Sequence, residues 1–308
     1  MPLISIILPT YNVEKYITRA LESCINQTLK DIEIIVVDDK GQDKSIDIAY
    51  EYANKDSRIK IIHNKENLKL LHARAEGVKV ATSELIMFLD PDDELELNAC
   101  EIAYNNFDNN CNVLRFKYSL IGFDDNFKLT HPKDYEDFKK RVKKLEYFDF
   151  LMWDMIIKKD LYLKCLEFVY KYNLTQVNIA EDIAFNFLII NFSNDYKQID
   201  SKLYKYYQNT SSMTNQKSQD RYKIFIETKN KILDFFNNIY KQQPNITKKE
   251  IYYSFYFAIC LSIIHDKKEL NKNYNIGIKK IFNKFNLSIK KKKINLYKKI
   301  RRYMIMLL

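Results

Sequence analysis

The chain has 308 residues, 46% of them hydrophobic, so it can bury the core of one large or two modest domains. The formal net charge is +10 and is concentrated: Lys272 to Arg302 holds about a dozen Lys and Arg and no acid, which suggests an anionic partner, either lipid headgroups or nucleic acid. Five widely spaced cysteines, no basic region before the first apolar run, and a longest apolar run of about 14 residues argue against a zinc site, a cleaved signal and a membrane span, and for reduced thiols in a cytosolic protein.

In chain order, "LISIILP" (3–9), "IEIIVVDD" (32–39), "IKIIHN" (59–64) and "LIMFLD" (85–90) read as strands. Their apolar runs are continuous rather than alternating, as in a parallel sheet covered on both faces. Between them Val13, Tyr16, Ile17, Ala20, Leu21, Cys24 and Ile25 share one helical face, and Ile46, Ala49, Tyr50 and Ala53 share another. Strand and helix in alternation predict a doubly wound, mostly parallel α/β region. After Asp93 the pattern predicts a helix over Leu95 to Phe107, a strand over 112–120, and a helix with loops over 122–150. Further helices are expected near 159–172 and 182–192, and helical, basic sequence from about 218 to the end.

In open α/β sheets ligands bind beyond the carboxyl ends of the strands. Three polar groups fall at such ends: Pro9-Thr10-Tyr11-Asn12, Asp38-Asp39 and Asp90-Pro91-Asp92-Asp93. Clustered carboxylates repel one another unless a cation neutralises them, and hard oxygen ligands suit Mg²⁺ or Mn²⁺ shared with a diphosphate. The plainer alternative is that such an Asp caps the next helix, Asp93 in particular. There is no GxGxxG after the first strand and no P-loop, so metal and basic side chains must hold the diphosphate. Arg74 is a phosphate or aspartate partner on this reading, and a solvated helix arginine on the plainer one.

The segments "ISIILPTYN", "EIIVVDD", "RIKIIHNKEN", "ARAEGVKVATSELIMFLDPDD" and "AEDIAFNF" resemble the inverting family 2 glycosyltransferases of the GT-A fold. The N-terminal half is similar to lipooligosaccharide β-1,3-galactosyltransferases. The resemblance implies a UDP-sugar donor, Mn²⁺ or Mg²⁺, and transfer of a hexose, best galactose, to lipooligosaccharide or another glycan or glycolipid. UDP-glucose and UDP-N-acetylgalactosamine are the alternative donors, and a basic nucleic-acid-binding module is the distant alternative, for which no motif appears. By position, Thr10, Tyr11 and Asp39 contact uracil and ribose. The resemblance also implies that Asp90 and Asp92 form the DxD pair, with Asp92 the closer metal ligand and Asp90 nearer the ribose or sugar, and that Arg74 lies near the diphosphate or the donor sugar. Glu181-Asp182 matches the family's ED pair, with Asp182 the general base and Glu181 orienting it or contacting acceptor. The plainer role for that pair is to complement a helix N-terminus.

Trp153 is expected to stack on the acceptor, or else to be core. "YYQNTSSMTN" (206–215) resembles a segment that closes over the donor, with Ser212 and Thr214 available to phosphate. Three positions depart from the family pattern: Lys69 stands where Gly is common, and Asp154 and Met155 stand where Gly or Asn and then Lys follow the Trp. These departures put the sugar and acceptor in doubt. The regions are 1–120 for the nucleotide sugar, 121–217 for acceptor and base, and 218–308 as a basic helical extension. In that extension Ile278, Ile281, Phe282, Phe285 and Ile289, then Ile294, Tyr297, Ile300, Tyr303 and Met304, recur at helical spacing among lysines and arginines. That is the pattern of a basic amphipathic helix on an anionic membrane surface, so the protein is expected on the inner face of the cytoplasmic membrane. Nothing in the sequence sets the oligomeric state.

Overall fold

A computed structural model describes residues 1–108, 111–123, 136, 137, 140, 151–174, 177, 181–193, 197–209 and 218–242, with 252, 255, 259, 263 and 267 beyond them. Most of 122–150, residues 210–217 and the amphipathic tail from 276 lie outside the described residues.

The first four strands, β1 (Ile4–Thr10), β2 (Ile32–Asp38), β3 (Ile59–His63) and β4 (Leu85–Phe88), lie parallel in the order β3-β2-β1-β4. The helices between them are α1 (Ile17–Ile25), α2 (Ser45–Ala53) and α3 (Lys69–Val80). β1, β2 and β4 are buried on both faces, as their continuous apolar runs require, and β3 at the edge is only partly covered. Ile7, Ile35, Val37 and Phe88 meet α3, while Ile6, Leu8, Ile34, Val36 and Met87 meet α1. The α3 backbone lies hard on the sheet at Gly77, where a Cβ would collide with Ile7 Cγ2 and Val37 Cγ2.

The rest of the sheet is mixed rather than parallel. β7 (Met155–Lys158) runs antiparallel between β4 and β6 (Val113–Ile121), and β8 (Lys197–Tyr207) runs parallel to β6. The helix expected over Leu95 to Phe107 is shorter: Glu94–Leu95 form β5, antiparallel to β8 at Tyr204 and Lys205, and α4 covers Ala99–Asn106. Leu95 is buried by that pairing, a non-local contact that helical periodicity does not register. The expected helices near 159 and 182 are α5 (Lys159–Lys171) and α6 (Glu181–Phe192). α6 is apolar nearly all round, as a helix enclosed in a core must be, and α7 (Gln219–Gln242) packs on it, with Phe236 4.4 Å from Phe187 between ring centres.

At the amino ends of the strands Glu33 is buried as a carboxylate. Burial alone would raise its pKa. Hydrogen bonds from Lys60 Nζ (2.7 Å), Ser5 Oγ (2.6 Å) and both the N–H and hydroxyl of Thr82 outweigh burial and hold it down at about 2. The folded value lies below the ordinary 4.5, so this stabilisation is complete above about pH 4.5 and is lost as pH falls toward 2. The shift corresponds to stabilisation on the order of 3 kcal/mol. Glu33→Gln is expected to lower unfolding free energy at pH 7 by about 1–3 kcal/mol and to flatten its decline between pH 4.5 and 2, measured by urea titration. An unchanged acid limb would show that Glu33 does not supply it.

Candidate functional site

The loops after β1 and β2 are tied together at the carboxyl ends of the strands. Asn12, with φ of 53°, accepts the Gln42 N–H on its side-chain oxygen at 2.7 Å. A Cβ at Gly41 would lie 2.8 Å from Asn12 N, so this approach requires glycine. Ser45 Oγ accepts the Val13 N–H at 2.9 Å, and Asp43 accepts the Glu14 N–H at 2.8 Å. On this base Thr10 is buried and Tyr11 stands out, 47% exposed.

Asp39 is a cap. Its carboxylate accepts from Asn64 Nδ2 (2.8 Å), Leu68 N (2.8 Å) and Lys69 N (3.0 Å) at the start of α3. Lys69 takes up a left-handed conformation there, with φ of 69°. That geometry favours glycine, the residue that the family resemblance leads one to expect here. The neighbouring Asp38 accepts from His63 Nδ1 (2.7 Å) and Lys40 N (2.8 Å). Burial raises its pKa, and these two partners lower it further than burial raises it.

With its first turn capped and Gly77 against the sheet, α3 sends Arg74 into the interior, 2% exposed. The plainer reading of a solvated arginine is therefore wrong. Its Nη2 donates to Asp90 Oδ1 and its Nη1 to Asp182 Oδ1, both at 2.8 Å, and its guanidinium carbon sits 5.6 Å from the Phe88 ring centre. One cation thus joins the end of β4 to the start of α6. Burial works against the Arg74 charge, and the carboxylates of Asp90, Asp182 and Glu181 more than restore it. Burial raises the pKa of Asp182, and Arg74 pulls it part of the way back. Burial also raises Glu181, with the Asp182 charge adding to it.

The turn after β4 is built separately. Asp93 is fully buried and faces inward, accepting from Tyr204 Oη at 2.7 Å and from Tyr207 N at 2.8 Å. Burial first, then Asp92 and Asp90, push its carboxyl up to about 9. The Asp90 N–H donates to Tyr204 Oη at 3.2 Å. Arg19, 3.6 Å above the Tyr207 ring, donates to the Asp92 carbonyl, and Asn209 Nδ2 donates to Asp92 Oδ2 at 2.9 Å. The pKa of Asp92 is raised by burial and by Asp90 and lowered by Asn209. No three His, Cys, Asp or Glu side chains form a metal-binding group among the described residues. With Asp93 committed to the fold, Asp90 and Asp92 remain. Their hard oxygens are of the kind that would hold Mg²⁺ or Mn²⁺.

Trp153 corrects the expectation of an acceptor platform. It is 4% exposed and stacks on Tyr204 (4.4 Å) and Tyr206 (5.1 Å), with Tyr118 edge-on at 4.9 Å. The ring fills the core between β6, β7 and β8. Asp154 and Met155 are likewise fully buried, and Asp154 pairs with Arg115 Nη1 at 2.6 Å, so neither faces the rim. Ser212 and Thr214 lie outside the described residues. Asn209, Arg19 and Arg115 did not stand out as functional in the sequence, and the one signal for Arg115 was a charge inside the apolar run "NVLRFKYSL".

A profile described as Glycosyl transferase family 2 matches residues 5–166. The chain belongs to this family. Among curated relatives it is 33% identical to the uncharacterized glycosyltransferase EpsJ of Bacillus subtilis over 229 residues, 70% of this chain. That match spans 63% of EpsJ, under two thirds of its length. It is 28% identical over 280 residues to a cholesterol galactosyltransferase of Borreliella burgdorferi, covering 85% of this chain and 75% of that one. Among solved structures, TarS 1–349 of S. aureus in complex with UDP-GlcNAc superposes with a TM-score of 0.56 at 19% identity, covering 86% of this chain and 81% of that one. A mannosyltransferase of Pyrobaculum calidifontis in complex with GDP-Man and Mn²⁺ gives 0.56 at 14% identity, covering 99% and 84%. At such identities these structures establish the GT-A-like fold alone.

Proposed function

We propose that this family 2 chain is an inverting, metal-dependent glycosyltransferase that moves galactose from UDP-galactose to a surface glycan or glycolipid. The observation that carries this reading is Arg74 held between Asp90 and Asp182. It brings a donor-side carboxylate and a base-side carboxylate to one buried cation, where an acceptor hydroxyl can meet the anomeric carbon. Asp182 takes the proton of the attacking hydroxyl, and its raised pKa makes it a better base than an exposed aspartate. Glu181 keeps beside it. The new bond forms to the face of the anomeric carbon opposite the departing diphosphate, and UDP leaves with the electron pair of the broken bond. Asp92 and Asp90 would hold Mn²⁺ or Mg²⁺, which supplies charge stabilisation to the leaving diphosphate. Tyr11 offers an exposed ring to the nucleobase, over a floor of Thr10 and Asp39.

Galactose is favoured by the similarity to a cholesterol galactosyltransferase, and UDP by the resemblance of the N-terminal segments. A β-1,3 linkage to lipooligosaccharide is the acceptor reading that follows from the N-terminal resemblance. The test is a screen of UDP release from UDP-galactose, UDP-glucose and UDP-N-acetylgalactosamine, with Mn²⁺ and with excess EDTA. UDP-galactose should be fastest, and both EDTA and Asp92→Ala should abolish release. Undiminished release in either condition would overturn the metal mechanism, and a faster alternative sugar would overturn galactose.

No helix among the described residues is long and apolar enough to cross a membrane. The basic, periodic segment from 276 onward supports peripheral attachment to the anionic inner face of the cytoplasmic membrane, each engaged cation contributing on the order of 1 kcal/mol. Truncation after Asn275 is expected to abolish sedimentation with anionic liposomes at low salt. If the full-length chain ignores such liposomes, the attachment is refuted.

A further inference from the structure

Behind the first turn of α6 lies an ion pair that the proposed reaction does not use. Arg115 on β6 is 7% exposed and Asp154, just before β7, is fully buried. Arg115 Nη1 donates to Asp154 Oδ1 at 2.6 Å and to the Leu151 carbonyl at 3.4 Å, while its Nη2 donates to the side-chain oxygen of Asn186. Asn186, also fully buried, turns its amide nitrogen to the Asp182 carbonyl at 2.8 Å. That nitrogen also lies 3.3 Å from the Leu151 carbonyl.

Taking two charges out of water costs about what their attraction returns, so a pair of this kind adds little net stability. What it supplies is direction. The planar fork of Arg115 faces only acceptors, so the Asn186 oxygen must point at it and the amide N–H groups must point away, toward Asp182. The Asp182 carbonyl is thereby held from behind while Arg74 holds its carboxylate from in front, and the base is fixed at both ends.

We infer that Asn186, with the Arg115–Asp154 pair behind it, positions the carboxylate of Asp182 for proton transfer. These are positioning residues that act through Asp182, and the inference rests on the reading of Asp182 as the base. It also gives Asp154 a role: the carboxylate that departs from the family pattern addresses the base helix from inside and takes no part in sugar choice.

The test uses Asn186→Asp in the full chain. This change keeps size and the bond from Arg115, removes the amide donor to the Asp182 and Leu151 carbonyls, and places the added carboxylate against the Arg115 guanidinium. Hydrogen exchange of the peptide over 181–192 should quicken, whatever the substrate. UDP release from UDP-galactose should show kcat lower by about tenfold or more, with KM for the donor within twofold and the melting temperature nearly kept, because misplacing a reacting group lowers turnover without loosening donor binding. A double variant, Arg115→Gln with Asp154→Asn, leaves no orphaned charge and should show the same split even if Asn186→Asp folds poorly. Unchanged exchange, or kcat within twofold of the parent, overturns the positioning role. Asp182→Asn run alongside separates the two readings. If it too keeps full turnover, the base assignment has failed; if it is inactive while Asn186→Asp is not, only this inference has.

Discussion

The guanidinium of Arg74 is the constraint on which the site depends. It is a permanent charge, nearly closed off from water, and such a charge is tolerated only where carboxylates meet it. Those carboxylates come from segments 16 and 108 residues away. The fold must therefore bring the end of β4 and the start of α6 to one point on α3. It does so through features set in the sequence at some distance: Asp39 caps α3 at its start, Lys69 bends the chain into it, and Gly77 lets it lie against β1 and β2. The loop after β2, whose Asp39 is proposed to meet the nucleotide, thus aims Arg74 as well.

Around that point the carboxylates divide their work by environment. Asp93 faces Tyr204 and Tyr207 and belongs to the turn; Asp92 is left at the rim with Asn209; Asp90 is shared with Arg74; Asp182 and Glu181 face the same cation from the other side. On the proposed reading these carboxylates become one structural acid, one pair for a metal and one pair for proton transfer. Asp90 meets Asp182 through Arg74, so occupation of the donor side would alter the electrostatics of the base side.

Much of this was legible in the sequence. β1 to β4 show as continuous apolar runs, Asp90, Asp92 and Arg74 are marked by chemistry and position, and Asp182 is marked by the family resemblance alone. What was not legible depends on pairing between distant segments. β8, "KQIDSKLYKYY", carries no strong apolar run, and its partners β5 and β6 lie a hundred or so residues upstream. Trp153 shows the same limit. An isolated tryptophan fits either a platform or a core, and only the arrival of Tyr204 and Tyr206 on β8 decides for the core. Asp154 suggested an altered sugar site because Arg115, 39 residues before it, gives no sign of being its partner.

The central claim is that one arginine organises donor and base together, and Arg74→Lys tests it most directly. Lysine keeps the charge but is a single point, unable to hold two carboxylates as the planar fork does. The account predicts that UDP release falls by about a hundredfold or more while melting temperature changes by only a few degrees. Turnover within threefold of the parent would contradict it, and would place Arg74 among residues that merely balance charge.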